Sequence, residues 1–147
     1  MVEQFFQRVV IPVANRDDAA ATTAALLPHV ENTDSTVIAV HVIEKAGGAP
    51  DKASVAQLEE RAEDIFSIVT DGFADTGVSL STRLLYGTDI AASIIDAAHE
   101  SDASAIVFTP RGGSRWRKLL TGDVSHKLVE NSDIPILVLP DEEVNEA

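Results

Sequence analysis

Along this chain, five short runs rich in valine, isoleucine and leucine alternate with four stretches of helical periodicity. Strands separated by helices lie parallel, because each helix carries the chain back to the edge where the previous strand began. The runs are apolar almost throughout, so the sheet they form needs cover on both faces. Crossovers of this kind are right-handed in nearly all proteins, which leaves few topologies. The expected fold is α/β: an open five-stranded parallel sheet with helices on both faces.

The expected elements follow in order. Residues 8–13 (RVVIPV) form the first strand, and Pro12 marks its end. Asp17 and Asp18 are expected to cap an alanine-rich helix over 19–27, with Pro28 as its terminator. Residues 36–43 (TVIAVHVI) form the second strand, and 44–53, with Gly47, Gly48 and Pro50, a loop. Ser54 opens a long amphipathic helix. Leu58, Ala62, Ile65, Phe66, Val69 and Phe73 recur at helical spacing, Glu59, Glu60, Glu63 and Asp64 take the wet face, and Gly77 ends the segment. Residues 79–85 form the third strand. Thr88 is expected to cap a helix with Ile90, Ile94, Ile95 and Ala98 on one face. Residues 105–108 and 136–139 are the last strands, joined by a helix with Val124, Leu128 and Val129 on its apolar side. No repeat or linker divides the chain, so residues 1–141 are read as one domain and 142–147 as an acidic tail.

Composition narrows the function classes. A chain of 147 residues, 45% hydrophobic with mean hydropathy +0.08, can bury a core and is not a disordered segment. With no cysteine, disulfides and thiolate metal sites are excluded. No apolar run approaches the ~20 residues that span a bilayer, and the N-terminus lacks a basic-then-apolar signal pattern. No membrane role and a cytoplasmic location are therefore expected. Against 24 acidic residues stand 11 basic ones, a net charge of −13, which makes duplex nucleic acid an unlikely partner. Only Lys45, Lys52, Lys118 and Lys127 are lysines. An acidic, lysine-poor surface is expected of a halophilic protein in a salt-loaded cytoplasm, where self-repulsion is screened; the plainer reading is an ordinary acidic mesophile protein.

Residues 109–123 (TPRGGSRWRKLLTGD) follow the fourth strand and lead into a helix. Glycines let backbone approach an anion, and helix N-termini attract negative charge. Arg111, Arg115, Arg117 and Lys118 are four of the 11 basic residues, so this loop is read as an anion site or a partner surface. Plainer readings stand beside these. Gly112 and Gly113 serve a loop needing positive φ, Asp123 serves as an N-cap, the basic residues form a solvated face, and Trp116 packs on its own domain. With the first strand central, the strand order reverses between strands one and four, the usual ligand position in such sheets. The loops 14–18 and 109–122 would then face each other across a crevice. His29, His41, His99 and His126 lack metal-ligand spacing, and His41 reads as a core histidine. No catalytic constellation is discernible.

In RVVIPV, the second strand ending in HVI, the glycine loop and the final PILVL strand, the chain resembles the universal stress protein family over nearly its whole length, with a haloarchaeal cast. The resemblance implies a Rossmann-like sheet of order 3-2-1-4-5, of the adenine nucleotide alpha hydrolase-like type, in a homodimer paired through the last strand. Ile136, Leu137, Val138 and Leu139 would form that interface, since an exposed apolar edge invites pairing. One branch of the family binds ATP through G-x-x-G, nine residues, then G-S or G-T. Gly112 and Gly122 keep the central spacing. Thr109 stands at the first glycine, Asp123 at the serine or threonine, and Ala14 at an aspartate that ends strand one in the family. An ionised Asp123 can only accept hydrogen bonds, and like charges ~4 Å apart repel by about 4 kcal/mol at an effective dielectric of ~20. The leading expectation is thus a non-catalytic, dimeric stress-response binding module with an altered nucleotide site and no certain cofactor. The alternative is an ATP-binding sensor or slow ATPase. In it, Arg111 and Arg115 offset the charge of Asp123, Gly112, Gly122 and the amides around Val124 hold phosphates, and Pro12, Val13 and Val42 line the adenine pocket. A third reading docks a protein partner on Arg111, Arg115, Trp116 and Arg117.

Overall fold

A computed structural model describes residues 2–44, 52–109 and 123–140 of the chain. After a short 3-10 turn, Val2–Phe6, the elements are β1 (Arg8–Pro12), α1 (Arg16–Val30), β2 (Thr36–Glu44), α2 (Lys52–Phe73), β3 (Ser79–Gly87), α3 (Ile90–Glu100), β4 (Ala105–Phe108), α4 (Asp123–Asn131) and β5 (Ile136–Val138). All pairings are parallel, in the order β3-β2-β1-β4-β5. The expected alternation and order are both present.

β1 lies at the centre because it is apolar on both faces. Val9, Val10 and Ile11 have no exposed surface, and the register sets Val9 beside Val37 on one side and Ala105 on the other. Alternate residues feed two cores. Val9, Ile11, Val37, Ala39, Ala105 and Val107 pack with Leu26, Val30, Ile65, Val69 and Phe73 under α1 and α2. Val10, Ile38, Val40, Ile106 and Phe108 pack with Ala91, Ile94, Ala98 and Leu128 under α3 and α4. Each large aliphatic side chain buried this way contributes about 1.5–3 kcal/mol. Ser104 fastens β4 to β1, its N–H donating to the Arg8 carbonyl at 2.7 Å while its hydroxyl accepts from the Arg8 N–H at 3.0 Å.

The helix boundaries correct several expectations. Asn15, not Asp17 or Asp18, caps α1: it is extended (φ −157°, ψ −179°) and its side chain accepts from the Asp18 N–H at 2.8 Å. Pro28 lies inside α1 and does not end it. Pro28 and Ala24 are both exposed, so the carbonyl that proline leaves unbonded is on the wet side of the helix. Lys52, not Ser54, is the first residue of α2. Asp89, not Thr88, caps α3, accepting from the Ala92 N–H at 3.1 Å. In α4, Leu128 is buried but Val129 is 61% exposed, because one further residue turns the side chain ~100° away from the sheet.

α2 comes very close to α1 at Gly72. A Cβ there would stand 2.3 Å from Cγ2 of Thr23, so only glycine fits this approach. No helix among the described residues is long and apolar enough to cross a membrane. The expected tail, 142–147, lies outside the described residues.

Candidate functional site

β1 is flanked by strands whose connections leave in opposite directions, so a crevice opens beyond its carboxyl end. Pro12, Val13 and Ala14 form its floor, and Phe108 and Thr109 its neighbouring edge. Val40 and Val42 from β2 and Ile90 and Ile94 from α3 make an apolar wall. Val124, Ser125 and Leu128 close it from the first turns of α4. The cleft measures about 730 Å³, within the ~300–1,000 Å³ typical of small-molecule sites.

Local chemistry shapes the floor. The ladder continues past Pro12, with the Val13 N–H donating to the Val40 carbonyl at 2.9 Å. The Val13 carbonyl accepts from Nδ1 of His41 at 2.7 Å, which fixes the imidazole tautomer with its proton on that nitrogen. The ring meets Phe66 edge-on, with centroids 6.5 Å apart. His41 is thus a satisfied histidine joining two strand ends, as its place in an apolar strand implied. The next amide is held differently: Oδ2 of Asp18 accepts from the Ala14 N–H at 2.8 Å. Asp18 is only 7% exposed, and it lines the crevice. At the adjoining edge the Thr109 hydroxyl, 2% exposed, lies 2.9 Å from that of Thr22 in α1. The β-branched side chain at 109 is therefore anchored to α1.

Of the residues singled out from the sequence, Pro12, Val13, Ala14, Val42, Thr109 and Val124 come together around one cavity. Asp123 is the first residue of α4; its side chain lies outside the described residues, and so do Arg111, Gly112 and Gly122, together with Arg115, Trp116 and Arg117. Ile136, Leu137 and Leu139 are partly buried, and Val138 is 40% exposed on the edge strand. Sequence reasoning missed Asp18, Glu44, Phe108 and the α3 wall. Asp18 had a legible signal: Asn15-x-x-Asp18 is a variant of the capping box, which returns the fourth side chain to the backbone entering the helix.

The sequence profile of the universal stress protein family matches residues 5–140. This chain belongs to that family. A universal stress protein of Methanocaldococcus jannaschii is 24% identical over 143 residues, covering 93% of this chain and 84% of its own length. Among solved structures, a universal stress protein of Archaeoglobus fulgidus in complex with dAMP superposes with a TM-score of 0.63 at 20% identity, covering 92% of this chain and 98% of that one. A universal stress protein in complex with cAMP gives a TM-score of 0.65 at 14% identity, covering 92% and 98%. These structural likenesses establish for this universal stress protein the Rossmann-like α/β fold.

Proposed function

We propose that this universal stress protein is a non-catalytic, dimeric binding module of the stress response, whose crevice takes an adenine nucleotide on altered contacts. The observation that carries the reading is the cleft of about 730 Å³ at the switch point, apolar along Val42, Ile94 and Phe108 and bounded by the first turn of α4. A planar base suits the apolar wall. The first helical amides have no partner within their helix and attract a phosphate. Relatives of this fold have been solved with dAMP and with cAMP, ligands of matching chemistry. The contacts are altered because Ala14 offers no carboxylate, its amide is held by Asp18, and Thr109 is tied to Thr22.

Thermal unfolding in molar KCl, with and without AMP, cAMP or ATP, tests the reading. A ligand at 100-fold over its Kd adds ~2.7 kcal/mol, which raises the midpoint by roughly 5–10 °C for a chain of this size. A flat response to all three would remove adenine binding. The ATP-sensor reading is favoured by one observation, the preserved spacing of Gly112 and Gly122. Under it, ATP alone gives the shift and phosphate is slowly released. Docking of an acidic partner on Arg111, Arg115, Trp116 and Arg117 is a separate reading of these basic residues. It predicts that charge reversal at Arg115 and Arg117 abolishes partner recovery.

A further inference from the structure

Two buried hydroxyls beside the crevice hold one proton more than the bond between them uses. Thr22 in α1 has no exposed surface, Thr109 next after β4 is 2% exposed, and their Oγ1 atoms stand 2.9 Å apart. A hydroxyl has one O–H to donate and two lone pairs that accept. One threonine therefore donates to the other, and the acceptor's own O–H must turn elsewhere. Among the described residues neither hydroxyl makes a second hydrogen bond, and Thr22 does not use the carbonyl four residues earlier that a helical threonine can reach. The two ends of the pair are not equivalent. An unmet donor on Thr22 would be sealed away from water, which is costly. Thr109 lines the crevice. The arrangement of lower energy thus has Thr22 donating and Thr109 keeping its proton for the cavity. The neighbouring His41 does not compete for this role at Nδ1, which is engaged by the Val13 carbonyl.

We propose that Thr22 donates to Thr109, and that Thr109 donates its own O–H into the crevice, to an oxygen on the sugar or phosphate of the bound adenine nucleotide. Thr109 is then a binding residue, and Thr22 a positioning residue that leaves it one direction in which to donate. The threonine at the position of the motif's first glycine supplies a contact that a glycine lacks. The inference rests on the adenine reading above and names one contact within it.

The test is calorimetric titration of the full chain in molar KCl with adenosine and with AMP. It compares the wild type with Thr22→Val, Thr109→Val and Thr109→Ser. Both valine variants break the same hydroxyl pair, so a merely structural pair would lose affinity equally in the two. The expected result separates them. Thr109→Val should bind AMP about tenfold more weakly, the effect of one lost donor in an enclosed site. Thr22→Val and Thr109→Ser, which keep a hydroxyl at 109, should stay close to the wild type. Should a single valine variant fail to fold, the double variant strands no hydroxyl and should bind as weakly as Thr109→Val is expected to. A loss confined to AMP assigns the acceptor to the phosphate, and a loss shared by adenosine assigns it to the sugar. Equal losses in Thr22→Val and Thr109→Val, or wild-type affinity in Thr109→Val or the double variant, would overturn the contact while leaving adenine binding intact. Failure of the wild type to bind either ligand would overturn the adenine reading itself.

Discussion

Thr109 and Thr22 meet hydroxyl to hydroxyl at 2.9 Å where water does not reach. The pair explains how a β-branched residue is accommodated at the lip of a binding cleft: its polar atom is satisfied by α1. A glycine at 109 would leave the Thr22 hydroxyl buried alone, an effect of about 1–3 kcal/mol. Tyr86, the only tyrosine, shows the opposite situation, an exposed side chain bonded to a carboxylate. Its hydroxyl donates to the Glu59 carboxylate, tying β3 to α2. That bond, then the slight desolvation and the negative charge of Glu59, raise the phenol above its ordinary value of 10.0. The folded chain thus keeps this proton to higher pH than the unfolded chain does. The bond's contribution to stability is complete below pH 10 and is lost as pH rises through the raised value. Phenolate absorbance during an alkaline titration reads this group alone. Its midpoint should lie above 10 in the wild type and fall toward the ordinary value in Glu59→Gln.

Among the elements, α1 and α2 meet closely at Gly72. Gly72→Ala gains helix propensity of about 0.8–1 kcal/mol but drives a methyl to 2.3 Å from Thr23, a stiff side chain only 5% exposed. The clash should win, with a net loss of about 1–2 kcal/mol, as overpacking in other cores suggests. Chemical denaturation checks it, and adding Thr23→Ala should recover most of the loss; a stabilised Gly72→Ala protein would mean the helices separate freely. All five strands were legible in the sequence because β-branched runs such as TVIAVHVI leave little choice of conformation. The caps were not. Asn15 against Asp17, and Asp89 against Thr88, are decided by which side chain swings over which amide, a matter of one residue. Pro28 misled for a related reason, since a proline on a wet helix face removes a bond without ending the helix. Of the crevice, the strand ends could be anticipated from topology. The α3 wall depends on how that helix leans on the sheet, which periodicity does not encode.

At the scale of the whole molecule, the open sheet has two edges, and β5 is the short one. Leu137 and Leu139 pack toward the α1–α2 core and Ile136 toward the other, whereas Val138 projects outward. Val138→Lys is therefore the cleaner probe of a dimer through this strand than a substitution at Leu137. A sizing column with light scattering should show the variant as a folded monomer beside a dimeric wild type; an unchanged dimer would move the interface elsewhere. The place of β1 reaches further, into synthesis. β1 is made first, yet one of its two neighbours, β4, begins almost a hundred residues later, and the crevice is closed by Leu128 later still. On the ribosome, the chain up to Gly87 can assemble β1, β2 and β3, but it carries only part of the cleft. A ligand that needs every wall therefore acts as an inspector of finished chains, holding those that have been completed and passing over truncated ones.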